Sequence, residues 1–78
     1  MHPITVLLAD DHNIVREGTH ELLSDVADIV VVGEAADGEE VVRAAARLQP
    51  DVVVMDVHMP KMNGIQATEQ IKQAFPTT

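Results

Sequence analysis

The chain has no cysteine, tryptophan or tyrosine and only one phenylalanine among its 78 residues. Without cysteine it has no disulfide framework, which makes a reducing, cytoplasmic compartment the expectation. Basic residues are also few, because five Lys and Arg stand against 13 Asp and Glu, for a formal net charge of −8. Contact with nucleic-acid phosphates needs clustered Lys and Arg, so we expect no direct binding of nucleic acid by these residues.

Long hydrophobic runs are absent as well. The longest wholly apolar runs are only a few residues, whereas a transmembrane helix needs about 20. The first residues also lack a basic segment ahead of an apolar one, which is the pattern of a signal peptide. We therefore expect no membrane contact and no export. A length of 78 residues accommodates a single domain with a small core.

Three short apolar runs rich in β-branched residues predict strands at residues 4–9, 29–32 and 52–55. Their continuous apolarity is typical of parallel strands that are buried on both faces. A stretch of helical period follows each run, and Asp37 and Asn63 are placed to cap the second and third helices. The predicted buried faces of the three helices are, in chain order, Val15, Gly18, Leu22 and Val26; Val41, Val42, Ala45 and Leu48; and Ile65, Thr68, Ile71 and Phe75.

The resulting βαβαβα order predicts an α/β fold, the first part of a doubly wound parallel sheet. Right-handed crossovers favour the strand order 2-1-3, with the first helix on one face of the sheet and the next two on the other. The winding direction reverses between the first and third strands. Ligands of such sheets bind at this switch point, outside the carboxyl ends of the strands.

Three aspartates follow the two strands that flank the switch point. Asp10 and Asp11 leave the first strand and Asp56 leaves the third. Neighbouring strands lie about 4.8 Å apart, so the three carboxylates are expected to converge. Hard oxygen ligands suit Mg²⁺, with Mn²⁺ as an alternative. Each acid alone is explained by helix capping or solvation, but the three together favour metal-assisted phosphoryl chemistry.

Three stretches of the sequence, taken together, resemble a known family. They are residues 6–12, Val-Leu-Leu-Ala-Asp-Asp-His; residues 32–38, Val-Gly-Glu-Ala-Ala-Asp-Gly; and residues 50–64, which contain Met-Asp-Val-His-Met-Pro-Lys-Met-Asn-Gly. Over nearly its whole length the chain is similar to the response-regulator receiver domain of bacterial two-component systems. The similarity is greatest to the subgroup of nitrate-responsive regulators, whose receiver precedes a helix-turn-helix domain.

This resemblance implies a flavodoxin-like fold and a phosphoacceptor function rather than an enzymatic one. Asp56 would accept a phosphoryl group from a sensor histidine kinase, forming an aspartyl phosphate. Asp11 would bind Mg²⁺ directly, Asp10 mainly through water, and the backbone carbonyl of His58 would be a further ligand. Phosphorylation would regulate transcription through a DNA-binding domain that lies outside these residues.

The family's whole receiver has five βα units, so residues 1–78 would be its N-terminal part, with no second domain. The resemblance then places two groups outside the chain: the Ser or Thr that senses the phosphoryl group and the lysine that pairs with it. Lys61 is not at that lysine's position. We therefore expect impaired phosphorylation, and self-association through the exposed edge of the third strand, most simply as a twofold dimer.

Two other functions remain open. A Mg²⁺-dependent phosphohydrolase with an aspartate nucleophile needs an acid two residues further on, and His58 occupies that position. The second alternative is a non-catalytic assembly or interaction module that associates through its sheet edges. Among the other candidate ligands, His2, His12 and His20 have no zinc-site spacing and are expected to be surface residues.

Overall fold

Strands and helices alternate along residues 3–78, the part of the chain that the structure, a computed structural model, describes. The elements are β1 (Ile4–Ala9), α1 (Asn13–Ser24), β2 (Ile29–Ala35), α2 (Gly38–Leu48), β3 (Val52–Met55) and α3 (Gly64–Ala74). The predicted bounds of β1 and β3 are confirmed. β2 continues three residues beyond the predicted 29–32, because Glu34 and Ala35 pair with the last two residues of β1. His2 lies outside the described residues.

The three strands form one parallel sheet in the order β2-β1-β3. This order confirms the predicted α/β, doubly wound arrangement. The crossover from β1 to β2 contains α1, and the crossover from β2 to β3 contains α2. In the pairing of β1 with β3, Ala9 lies opposite Met55. The residues that follow these two strands therefore leave the sheet at the same level, which is the requirement for a shared site.

The core lies between the sheet and the two helices α2 and α3, which also pack on each other. Its buried residues are Leu7, Ala9, Ala35, Val41, Ala44, Ala45, Met59, Ala67 and Ile71. α1 lies on the opposite face of the sheet, where it contacts β2 and β1. A cavity on this face is lined by Arg16 and Thr19 of α1 and by Leu8 and Val54 of the strands. The predicted distribution of helices, one against two, is confirmed.

The face predicted to be buried on α1 is wrong. No residue of α1 is buried, and the side chains of Val15 and Leu22 are exposed, Leu22 at 73%. The side chain of Arg16, which lies outside the predicted buried face, is instead largely covered. The physical reason is that α1 meets the sheet beside Glu34 of β2, so a polar pair rather than an aliphatic stripe occupies this contact.

Helix α2 packs as predicted, with Val41 and Ala45 buried, whereas the α3 prediction is partly wrong. The buried residues of α3 are Gly64, Ala67 and Ile71, and Ile65 is exposed at 59%. Small side chains let α3 approach its neighbours closely, so its buried face is less apolar than the sequence pattern indicated.

Both predicted helix caps are present. The Asp37 side chain accepts a hydrogen bond from the Glu40 N–H at 2.8 Å. Asn63 accepts from the Gln66 N–H at 2.9 Å, and the Gln66 side chain accepts from the Asn63 N–H at 3.2 Å. Each cap satisfies backbone donors that the first helical turn leaves unpaired, and this fixes where α2 and α3 begin.

The outer edge of β3 has no strand partner among residues 3–78, and Val52 and Val54 are exposed. Self-association through this edge stays a prediction, because the contacts within one chain do not test it. Across the described residues, no helix has the length and apolarity that crossing a membrane requires.

Candidate functional site

The three predicted acids meet at the carboxyl ends of β1 and β3. The Asp56 N–H donates to the carbonyl of Ala9 at 2.8 Å, and the Asp10 N–H donates to the carbonyl of Ala35 at 3.0 Å. One ligand atom each from Asp10, Asp11, His12 and Asp56 lies within 4.8 Å of the others. These four residues are called the acidic cluster below. Its carboxylates supply hard oxygen donors, the type that Mg²⁺ and Mn²⁺ prefer, so the donor set fits a divalent cation.

Two carboxylates of the acidic cluster are oriented by their own turns. Asp10 Oδ1 accepts a hydrogen bond from the His12 N–H at 2.8 Å, and Asp56 Oδ1 accepts one from the His58 N–H at 3.1 Å. This contact occupies one oxygen of Asp56, and the other, Oδ2, lies 3.9 Å from the His12 ring. His58 itself is exposed on the loop that follows Asp56.

His12 belongs to the acidic cluster, although only its position directly after the acid pair hinted at this. Its side chain is exposed, as expected, but Nδ1 lies 3.1 Å from Asp10 Oδ1 and 3.0 Å from Asp11 Oδ1. The hydrogen bond that the His12 ring makes to the Asp10 carboxylate, and then the negative charge of Asp11, raise the pKa of His12. Protonated His12 therefore places a positive charge among the carboxylates.

The loop from Asp56 to α3 is held against the start of α2. The Gly38 N–H donates to the carbonyl of Pro60 at 3.4 Å, and Lys61 Nζ lies 3.5 Å from Asp37. The hydrogen bond from the Glu40 N–H, and secondarily the Lys61 charge, lower the pKa of Asp37. Met59 anchors the loop in the core. The stretch that carries His58 is thus fixed at both ends.

Space around this loop depends on two glycines. A Cβ at Gly38 would overlap the carbonyl oxygen of Met62, and a Cβ at Gly64 would overlap the carbonyl oxygen of Asp56. Neither glycine has a positive φ, so both are required for close approach rather than for backbone conformation. Gly64 lets α3 begin directly against the backbone of Asp56.

A cavity of about 280 Å³ opens beside the acidic cluster, on the face of the sheet that α1 covers. It is lined by Leu8, Ala9, Asp10, Arg16, Thr19, Val54, Met55 and Asp56. The Asp56 side chain borders this cavity and is partly exposed. The side chain of Asp56 is therefore reachable from solvent on this side.

A polar group next to the acidic cluster was missed by the sequence reasoning. Arg16 Nε donates to Glu34 Oε1 at 2.8 Å, and His20 Nδ1 lies 2.9 Å from Glu34 Oε2. The hydrogen bond with His20, followed by that from Arg16, lowers the pKa of Glu34. Glu34 is far from both partners in sequence, so no local pattern indicated these contacts.

The parallel sheet with acids at its switch point matches a described family. Residues 6–78 correspond to the family described as "Response regulator receiver domain". The chain belongs to this family. This identification confirms the resemblance carried by the acid pair and by the motif around Asp56.

Relatives of the receiver are response regulators of the expected type. The response regulator protein VraR of Staphylococcus saprophyticus is 46% identical over 74 residues, which are 95% of this chain and 35% of that protein. The nitrate/nitrite response regulator protein NarL of Escherichia coli is 42% identical over 71 residues, 91% of this chain and 33% of that protein. The chain thus spans about a third of the length of these relatives.

The fold has a close counterpart among solved structures. The response regulator domain of Thermotoga maritima CheB superimposes with a TM-score of 0.94 and 41% sequence identity, over 97% of this chain and 57% of that one. At this identity the likeness extends beyond the fold class to the family. The predicted flavodoxin-like topology is therefore confirmed for the three βα units that the chain contains.

Proposed function

We propose that the receiver is a cytoplasmic phosphoacceptor of a two-component phosphorelay, and that Asp56 takes a phosphoryl group from a sensor histidine kinase. The observation that carries this proposal is the acidic cluster. In a receiver fold, Asp56 lies at the switch point with ligand atoms of Asp10 and Asp11 within 4.8 Å. The fold brings the acids together, and the open cavity gives a donor access to Asp56.

The donor set supports Mg²⁺ as the resident ion, with Mn²⁺ able to replace it. We propose that Asp11 binds it directly, Asp10 mainly through water, and that Asp56 and the backbone carbonyl of His58 complete the protein's ligands. The bound ion would offset the negative charges of the carboxylates and the incoming phosphoryl group. No ligand of another type is needed, since oxygen donors alone satisfy Mg²⁺.

The chain's own groups prepare Asp56 for in-line attack. The His58 N–H holds Oδ1 of Asp56 at 3.1 Å, so Oδ2 is the oxygen free to attack phosphorus. The bond between phosphorus and the donor's histidine nitrogen breaks, its electron pair stays on that nitrogen, and a bond to the carboxylate oxygen forms. The chain is thereby a substrate of the transfer, not an enzyme with turnover.

The partners in this proposal follow from the same site. A histidine kinase supplies the phosphoryl group, and DNA is contacted through a domain outside these residues. The net charge of −8 supports the latter, because the chain offers no cluster of basic residues for phosphates. We keep self-association through the outer edge of β3 as a separate proposal, based on the exposed side chains of Val52 and Val54.

Removal of Asp11 is expected to weaken Mg²⁺ binding. We expect Mg²⁺ to shift the backbone amide signals of Asp10, Asp11 and Asp56 in an NMR titration, with low affinity because Mg²⁺ gives up water reluctantly. Asp11→Asn keeps the side-chain shape but removes a charged ligand, so the dissociation constant should rise about tenfold or more, a loss of at least roughly 1.4 kcal/mol.

The matched control is Asp25→Asn, which makes the same chemical change at the exposed C-cap of α1. It should leave the titration unchanged. If Asp11→Asn titrates like the wild-type chain, or if Mg²⁺ moves none of the three signals, the metal assignment is wrong.

A further inference from the structure

Arg16 differs in its surroundings from the other arginines and the lysines, all of which lie within the described residues. Arg43, Arg47, Lys61 and Lys72 are all exposed, whereas the side chain of Arg16 keeps only 17% of its accessible surface. It also lines the cavity beside Asp56. A covered guanidinium needs hydrogen-bond partners, so its contacts indicate its role.

The guanidinium connects three elements with three separate nitrogens. Nη1 donates to the backbone carbonyl of Asp10 at 2.6 Å, Nε to Glu34 Oε1 at 2.8 Å, and Nη2 to Asn13 Oδ1 at 2.8 Å. These partners lie directly after β1, in β2 and at the start of α1. A planar guanidinium donates in three directions at once, and a lysine ammonium does not reproduce this geometry.

Glu34 holds Arg16 in this position. One oxygen of Glu34 accepts from Arg16, and the other lies 2.9 Å from Nδ1 of His20. Both partners favour the charged form of Glu34, which keeps the ion pair intact. Arg16 and His20 of α1 each contact a different oxygen of the Glu34 carboxylate on β2. These two contacts restrict rotation of the Glu34 side chain and so keep it paired with Arg16.

The contact with the Asp10 carbonyl acts on the acidic cluster. That carbonyl belongs to the planar peptide unit between Asp10 and Asp11. The Asp10 N–H is held by Ala35 at 3.0 Å, and the following carbonyl is held by Arg16. The backbone of Asp10 is therefore fixed on both sides, and the orientation of the peptide unit determines where the Cα of Asp11 lies.

We infer that Arg16 is a positioning residue for the metal site, which fixes the Asp10–Asp11 peptide unit while Glu34 anchors it. This inference rests on the proposed function. The inferred role concerns the acid pair and not the phosphoryl group: Nε, Nη1 and Nη2 each donate to a protein oxygen, and these contacts hold the guanidinium against the Asp10 backbone. Its contribution is the geometry of the two acids before any ligand arrives.

The test is the Mg²⁺ dissociation constant of five chains, measured by amide NMR titration: wild type, Arg16→Lys, Arg16→Gln, Glu34→Gln and Arg47→Gln. Loss of a group that orients metal ligands typically weakens affinity about 10–100-fold. We expect Arg16→Lys and Arg16→Gln to weaken binding by about tenfold or more and to a similar extent, and Glu34→Gln to have an intermediate effect. Arg47→Gln removes the same charge from the exposed surface of α2 and should change affinity less than about twofold.

Two further measurements separate positioning from a general loss of structure. Thermal unfolding followed by circular dichroism identifies a temperature at which the variants are folded. If the Arg16 variants do not fold at any temperature, the Mg²⁺ affinity of Glu34→Gln decides whether the Arg16–Glu34 pair positions the metal site. In the chain without Mg²⁺, the amide signals of Asp11 and His12 should move in both Arg16 variants and not in Arg47→Gln.

Wild-type affinity in Arg16→Lys would overturn the inference, because it would show that only the charge matters. Unchanged affinity in Arg16→Gln or Glu34→Gln would do the same. If the wild-type chain does not respond to Mg²⁺ while Asp11 and His12 signals move in the Arg16 variants, the metal part of the proposed function fails and positioning of the acid pair is retained.

Discussion

Replacing Asp56 by Asn is expected to abolish phosphoryl uptake by the receiver. The amide of Asn has nearly the same shape and its oxygen still accepts the His58 N–H, which bonds Asp56 at 3.1 Å, so the loop should keep its conformation. It lacks the charged oxygen that attacks phosphorus. Intact-mass spectrometry after incubation with a small-molecule phosphodonor and Mg²⁺ should show uptake by the wild-type chain and background levels in Asp56→Asn.

Asp25→Asn is the matched control for this experiment, because it removes an exposed carboxylate at the other end of α1 from the acidic cluster. It should take up phosphoryl groups like the wild-type chain. Uptake by Asp56→Asn at the wild-type level would show that another side chain is the acceptor.

Gly38→Ala is expected to destabilise the fold more than a surface glycine substitution does. The added Cβ would overlap the carbonyl oxygen of Met62, and the Gly38 N–H bonds to Pro60 in the same loop at 3.4 Å. The loop must therefore move away from the start of α2. Overpacking of this kind costs about 1–3 kcal/mol, and each kcal/mol lowers the Tm of a domain of this size by roughly 4–8 °C.

Gly18→Ala provides the opposite control within the same chain. A Cβ at Gly18 meets no atom within 4 Å, and Ala is more favourable than Gly in a helix by about 0.5–1 kcal/mol. Thermal unfolding should therefore show a higher Tm for Gly18→Ala and a lower one for Gly38→Ala. Equal changes in the two variants would contradict the packing of the loop against α2.

The sheet and its acids were predictable because few physical rules determine them. Continuous β-branched runs indicate buried parallel strands, and right-handed crossovers leave few orders for three of them, among which 2-1-3 is favoured. Once β1 and β3 are neighbours, Asp10 and Asp56 must leave the same edge of the sheet. Their convergence therefore follows from topology and needs no knowledge of side-chain packing.

The surroundings of the acids were not predictable in the same way. Helical periodicity groups Val15 with Leu22 but does not determine which face of α1 meets the sheet. In the structure these two side chains are exposed, and Arg16 is largely covered instead. The partner of Arg16 is Glu34, 18 residues further on, and only the packing of α1 on β2 brings them together. On α3, burial depends on how closely two helices approach, so Ala67 is buried and Ile65 is not.

The position of the phosphoryl group in the wild-type chain decides whether Asp56 is the acceptor. The chain is incubated with a small-molecule phosphodonor, with Mg²⁺ or with a chelator, and any acyl phosphate is then reduced with borohydride, which marks the modified residue for peptide mass spectrometry. We expect one modified residue, Asp56, and loss of the modification when Mg²⁺ is chelated. Modification of His12, His58 or another acid in place of Asp56 would contradict it.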